Sequence, residues 1–473
     1  MSTEHEIPRN RLGLFYGLLI AATAMIFLGI RSLGETLVAP APVGPSPFLT
    51  GTSQAAPDTL VHVLLALVVI ILASRGLGAL FRLAHQPAVV GEILAGLCLG
   101  PSLLGRFAPE MQAFLLPASV APFLGILAQI GVILFMFIVG LELDTGLLRK
   151  RSHATLAISH ASIVAPFLLG ATFALWLYPR MSSSDVPFTV FALFSGVAVS
   201  VTAFPVLARI LTDRGMQKTR TGVLALTCAA VDDVSAWCLL ALVVGVAKAE
   251  AGAALPTVVL SVGYILMMLG GIRPLVERQV HRMELRGENT QTAIAMVFVG
   301  LLLSTLATEA IGIHAIFGAF ALGAILPHDS RLARDLIGKL EDVVLVLFLP
   351  AFFAFTGMRT QIGLIGGFEN WMICGVIILI ACAGKFGGSY AAARLTGLST
   401  RDAATIGILM NTRGLMELVV LNIGLDLGVI SPTLFAMMVI MALVTTVMTT
   451  PILHAIDRGD LGPQGSRALA GTR

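Results

Sequence analysis

Long apolar stretches alternate along this chain with short polar breaks rich in arginine and lysine. A helix needs ~20 mostly apolar residues to cross a bilayer, and on that ruler the pattern predicts one N-terminal span near 12–34 and thirteen more. These centre on about 59–81, 88–104, 121–142, 154–178, 188–210, 222–247, 255–275, 290–310, 313–327, 341–358, 371–394, 403–426 and 432–456. The polar breaks test the count, because cytoplasmic loops carry an excess of Lys and Arg. With Arg9 and Arg11 inside and the spans alternating, the inner segments hold 22 basic residues and the outer segments 5. Both termini are therefore expected in the cytoplasm.

Composition agrees. The 473 residues are 57% hydrophobic and 12% charged, against about 25% charged in soluble domains. So little charge cannot coat a soluble surface of this size, which excludes a cytosolic or secreted enzyme, a nucleic-acid binder and a disordered scaffold. All five cysteines fall in apolar stretches without a C-x-x-C pair and read as core residues rather than disulfides or a metal site. No G-x-G-x-x-G or Walker motif appears, which argues against ATP-driven pumping and calls for no cofactor. The first span has two readings. Followed by Val38-Ala39-Pro40-Ala41, it is either a retained helix or a signal-like segment, and both deliver Asp58 to the outside. The organisation expected is residues 1–57 (N-terminus, extra helix and a Pro/Ser/Gly/Thr-rich outer linker from Pro40 to Pro57), a transmembrane domain at 58–456 and a short cytoplasmic tail at 457–473.

Charges inside the spans carry the chemistry. Arg75 is close enough to an inner end to snorkel, and Glu92 and Glu142 lie toward cytoplasmic ends. Asp232, Asp233, Lys385, Arg413 and Glu417 lie near helix centres; the two aspartates sit ~15 Å deep at 1.5 Å per residue. Unpaired, five such residues cost on the order of 12–17 kcal/mol. Arg413 and Glu417, spaced i, i+4, can neutralise each other, and Asp232 can bridge to Lys385. Asp233 is left without a basic partner, which structure alone does not explain.

Two spans look broken. The fifth of the thirteen reads Phe194-Ser-Gly-Val-Ala-Val-Ser-Val-Thr-Ala-Phe-Pro-Val206, and the twelfth carries Met410-Asn-Thr-Arg-Gly-Leu415 at its centre. They are seven helices apart. So are the second and ninth, where Ile93-x-x-Gly96-x-x-Leu99-Gly100-x-x-Leu103 aligns with Ile316-x-x-Ala319-x-x-Leu322-Gly323-x-x-Leu326 at a constant offset of 223. Seven is odd, so the two units run in opposite senses. Inverted repeats with paired broken helices point to a secondary transporter with its site at the midplane.

Ser200-Val-Thr-Ala-Phe-Pro-Val-Leu-Ala-Arg-Ile-Leu211, Ala230-Val-Asp-Asp-Val-Ser-Ala-Trp237, Pro350-Ala-Phe-Phe-Ala-Phe-Thr-Gly357, Gly384-Lys385 and Met410-Asn-Thr-Arg-Gly-Leu-Met-Glu-Leu418 resemble the monovalent cation:proton antiporter-2 family. That family includes sodium/proton and potassium/proton exchangers and the plant cation/proton exchangers. The resemblance spans about Asp58 to Ile456. It implies an all-α, dimeric sodium/proton antiporter-like fold of thirteen core helices, to which this chain adds one N-terminal helix, with two broken helices crossing in a mobile core. It also implies roles. Asp233 resembles the carboxylate that binds cation and proton in turn, Asp232 the neighbour paired with a lysine, here Lys385. Thr202, Ser200 and the backbone around them resemble crossing-point ligands, supported by Asn411, Thr412, Arg413 and Glu417.

The residues suit that mechanism. Two carboxylates and one ammonium leave one negative charge, which matches a monovalent cation, and oxygen donors suit an alkali ion. One carboxylate serving both ligands makes them exclusive, which is antiport. The rivals fare less well. Adjacent helical aspartates diverge by ~100° and cannot form an aspartyl-protease pair; no filter-like run suggests a channel; a proton-coupled carrier of an organic solute on the same fold stays open. The expected setting is a bacterial plasma membrane, with lipid, monovalent cations and protons as partners.

Overall fold

The computed structural model describes residues 9–40, 59–142, 153–248, 254–286 and 290–458. Most of the Pro40–Pro57 linker, the basic cluster at 149–151 and the tail from 459 lie outside the described residues. The described residues form helices and turns, as the apolar runs require: a backbone in lipid must satisfy its own N–H and C=O groups.

In chain order the helices longer than seven residues are α1 (Arg9–Gly34), α2 (Thr59–Leu83), α3 (Ala88–Leu99), α4 (Ala121–Glu142), α5 (His153–Met181), α6 (Phe188–Ala198), α7 (Phe204–Asp213), α8 (Arg220–Lys248), α9 (Ala254–Met267) and α10 (Arg273–Arg286). The second half continues with α11 (Thr290–Ile311), α12 (Ala315–Ile325), α13 (Arg331–Val343), α14 (Leu349–Arg359), α15 (Gly367–Leu395), α16 (Thr400–Met410), α17 (Leu415–Asp426) and α18 (Pro432–Arg458). Single wide π turns join α9 to α10 and α13 to α14.

Among the described residues ten helices are long and apolar enough to cross a membrane, and the bent pair α16–α17 makes an eleventh. Fourteen spans are expected from the apolar runs, and the three missing ones have physical reasons. The fifth is split into α6 and α7; the ninth is α12, 11 residues long; the tenth begins with the charged α13, whose sequence is RLARDLIGKLEDV. Boundaries also move. Helix α3 stops at Leu99 rather than near 104, and the seventh helix runs on through the polar α10 to Arg286 rather than ending near 275.

Outward-facing leucines such as Leu72, Leu266, Leu306 and Leu379 are each more than half exposed, as lipid contact demands. Inside, two groups of helices form. In one, α3 packs on α2 and α14, and α4 packs on α12 and α14. Helices meet there at glycines: a Cβ on Gly96 would strike the Phe353 carbonyl, and one on Gly323 would strike Phe137 and Gly140. Small residues of this kind let backbones approach closely in a membrane. In the other group α5 packs along α15, and the broken pairs α6–α7 and α16–α17 lie against α5, α8, α15 and α18. Helix α1 joins this second group, resting on α5 and α6.

Candidate functional site

The two breaks lie opposite each other. Helix α6 ends at Ala198 and α7 begins at Phe204, so Val199–Ala203 is the interruption. Pro205 sits in the first turn of α7, where its missing N–H costs nothing, and not in the break itself. The second break is Asn411–Gly414. One backbone bond ties the two together, the Ala203 N–H donating to the Thr412 carbonyl at 3.0 Å.

Helix α8 carries both aspartates near the middle of its 29 residues, and their surroundings are opposite. Asp232 is fully buried and saturated with donors. Its Oδ1 accepts from Ser159 at 2.6 Å, and its Oδ2 accepts from Ser162, from Thr202 at 2.9 Å and from Lys385 Nζ at 3.1 Å. Lys385 also donates to the Thr202 hydroxyl, so Asp232, Thr202 and Lys385 form one closed triangle. Asp233 is 4% exposed and neither of its carboxylate oxygens has a hydrogen-bond partner. Helical geometry turns it ~100° away from Asp232. The backbone of Phe204, first residue of α7, faces it without closing a hydrogen bond, and a helix N-terminus carries partial positive charge.

The remaining predicted residues hold the crossing. Arg413 and Glu417 pair at 2.7 Å, both fully buried. The same guanidinium donates to the carbonyls of Val199 at 2.6 Å and Ala198 at 3.3 Å. It thereby caps the C-terminal end of α6, whose last carbonyls otherwise lack partners. Asn411 Nδ2 reaches the Cys382 sulfur at 3.5 Å, while its Oδ1 and the Thr412 hydroxyl are buried with no partner. Ser200 is not brought to the aspartates: its hydroxyl bonds the carbonyls of Gly196 at 2.6 Å and Ile163 at 3.2 Å. The first bond completes the end of α6 and the second ties it to α5.

Three contributors were not anticipated. Ser159 and Ser162 stand on one face of α5, and their only signal is an i, i+3 serine pair within an apolar run. Thr446 of α18 accepts from the Arg413 N–H at 3.0 Å and donates to its carbonyl at 2.6 Å. Of the cysteines, Cys228 and Cys374 are buried as expected, whereas Cys238 is exposed on its helix. No group of three His, Cys, Asp or Glu side chains suited to a resident metal occurs among the described residues.

A membrane-embedded helical fold with two broken helices bonded at their breaks, one saturated and one unpartnered aspartate beside them, defines a transporter architecture. The sequence profile described as "Sodium/hydrogen exchanger, transmembrane" matches residues 63–456, and the chain belongs to that family. It is 43% identical over 401 residues to the Na(+)/H(+) antiporter NhaS4 of Synechocystis, covering 84% of this chain and 98% of that one. It is 39% identical to Cation/H(+) antiporter 20 of Arabidopsis thaliana and 33% identical to K(+)/H(+) antiporter 1 of Saccharomyces cerevisiae, over 82% and 80% of this chain. It spans about half the length of those two, 47% and 44%. Among solved structures, the sodium proton antiporter MjNhaP1 of Methanocaldococcus jannaschii aligns with a TM-score of 0.61 at 16% identity, over 84% of this chain and 97% of that one. The fold is shared.

Proposed function

We propose that this chain exchanges a monovalent alkali cation, Na+ or K+, for protons by alternating access, with Asp233 as the carboxylate that the two ligands share. The observation that carries this is the contrast at the site: Asp232 is satisfied by four donors, while buried Asp233 has none. A buried carboxylate without a partner is costly and calls for a ligand. Either a proton or a cation satisfies it, and neither can do so while the other is bound. With Lys385 balancing Asp232, one negative charge remains for one monovalent ion. The unpartnered oxygens of Asn411 and Thr412 supply further hard donors for the transported ion as it passes. Thr202 and Ser200, whose hydroxyls are already engaged, serve as structure at the crossing rather than as side-chain ligands.

Antiporter relatives from cyanobacterium, plant and yeast support the reading, as does the architecture. We further propose thirteen core helices in two inverted units, with α1 added, both termini cytoplasmic, and a homodimer in a bacterial plasma membrane. The pairings support the inversion. Helix α2 packs on α3 as α11 packs on α12; α3 packs on α14 as α12 packs on α4; α5 packs on α6 as α15 packs on α16. Each match relates a helix to the one seven spans on in the expected count of thirteen.

Dequenching of a pH-sensitive dye in proteoliposomes, with sodium, potassium and lithium chlorides compared, tests the function. The unaltered protein collapses the pH gradient on cation addition. Asp233→Asn abolishes that response while the protein remains folded in the membrane. Undiminished exchange in this variant rules Asp233 out as the shared site.

A further inference from the structure

At the end of α17 remote from the crossing, three side-chain bonds join the half-helix to the other group of helices. Arg359, last residue of α14, donates through Nη2 to Asp426 Oδ1 at 2.6 Å and through Nη1 to Asn422 Oδ1 at 3.1 Å. Asn422 in turn donates from Nδ2 to the Thr356 hydroxyl of α14 at 2.8 Å. Asn422 and Asp426 are spaced i, i+4 on α17, and Thr356 and Arg359 i, i+3 on α14, so each helix offers one face. Arg359 is held ready for the contact: its side chain is 8% exposed and its guanidinium lies over the Phe355 ring, 5.3 Å from the centroid. Asp426 is 44% exposed at the C-terminal end of α17, where the helix dipole disfavours a carboxylate. Nothing intrinsic to α17 keeps it there. The side chains of Asn422 and Asp426 also line a cavity of about 270 Å³ between the two groups, together with Glu309 and His314.

The function proposed above requires the broken-helix group to move against the α3–α4–α14 group in every cycle, and this inference rests on that reading. α17 descends directly from Arg413 and Glu417 at the crossing, so its far end reports the position of the site. We infer that Arg359, Asn422, Asp426 and Thr356 form a latch that shuts the outer mouth of the transport path. The latch opens each time the site faces outward. These are positioning residues, acting through α17 on the carboxylates and never touching the transported ion. A latch of this kind sets the ratio of inward- to outward-facing protein by its differential contribution to the two states.

Val419 lines the same cavity from α17 and is 4% exposed, so it serves as reporter. In a background with the five native cysteines replaced by serine or alanine, Val419→Cys is labelled with a membrane-impermeant maleimide applied from outside. Asp426→Asn and Arg359→Gln are each expected to raise the labelling rate about tenfold, and the swap Arg359→Asp with Asp426→Arg to return it toward the parent value. Should the arginine variants not fold, Asp426→Asn, altering a half-exposed side chain, decides alone. An unchanged rate in the folded single variants, or a swap that labels as fast as they do, overturns the latch. Labelling needs no turnover, so a failure of the exchange reading would appear separately, as absent cation-driven proton movement in the unaltered protein.

Discussion

Asp232 and Asp233 are neighbours in sequence whose fates are set by one hundred degrees of helix rotation. Asp232 turns toward α5 and Lys385 and is saturated there; Asp233 turns toward the break and is not. The pair makes a stability prediction. Lys385 and Asp232 are both fully buried at 3.1 Å, so Lys385→Ala strands a charge and costs roughly 3–5 kcal/mol. A second change, Asp232→Asn, is expected to recover part of that loss. Thermal unfolding of the purified variants checks it, and strict additivity would show the two do not pair. The serines extend the argument. Ser162 and Ser159 donate to an ionised carboxylate, and hydrogen bonds to charged groups contribute about 1.5–3 kcal/mol each. Ser162→Ala should destabilise by that amount, whereas Ser200→Ala, losing only bonds to neutral carbonyls of Gly196 in α6 and Ile163 in α5, should cost less and leave cation affinity unchanged. Loss of cation binding in Ser200→Ala would restore Ser200 as a ligand.

At the scale of elements, a broken helix in a membrane exposes carbonyls that lipid cannot satisfy. Here Arg413 serves α6 from α17's own break while Glu417 neutralises it, so one residue couples the two broken helices. Arg413→Lys keeps the charge but lacks the planar fork needed to reach Ala198, Val199 and Glu417 together. We expect a lower unfolding temperature and slower exchange, read by melting and by vesicle flux on the same preparation; wild-type behaviour in both would mean the caps are dispensable. The glycine contacts make a second expectation. Gly140→Leu drives a side chain into the Phe320–Ala324 backbone and should disrupt α4–α12 packing, while Gly363→Ala, with open space around it, should be neutral. Equal stability of the two variants would refute the close approach.

For the molecule as a whole, the N-terminal helix packs against the broken-helix group. Phe27 meets the Phe167 ring at 5.8 Å between centroids, Ile30 is 7% exposed, and the Ser184 N–H donates to the Pro40 carbonyl at 2.9 Å. The small-residue stretch that could be a cleavage site is thus partly engaged with the broken-helix group. We expect α1 to be retained in the mature protein, packed on α5 and α6, and the protein to run as a dimer. Mass spectrometry from mild detergent checks both, and a mature N-terminus near residue 40 would mean that α1 is a leader.

Element existence, membrane class and the identity of the key charges were legible without coordinates, because each follows from a one-dimensional quantity. Twenty apolar residues make a span wherever they occur, a basic excess marks the inner side, and a mid-span aspartate is costly whatever its neighbours. The broken helices were legible for a related reason: Gly, Ser, Thr and Pro weaken a helix locally. Partnership was not. Ser159, Ser162 and Thr446 are ordinary small polar residues in apolar helices, and only the packing of α5 and α18 against the breaks turns them toward Asp232 and Arg413. Ser200 shows the reverse, standing in a telling motif while its hydroxyl bonds the carbonyls of Gly196 and Ile163. The same holds for Arg359 and Asp426, 67 residues apart. Hydropathy and charge are properties of a segment, so sequence determines them. Which donor meets which acceptor depends on how rigid helices are rotated against one another, and that only the tertiary structure decides.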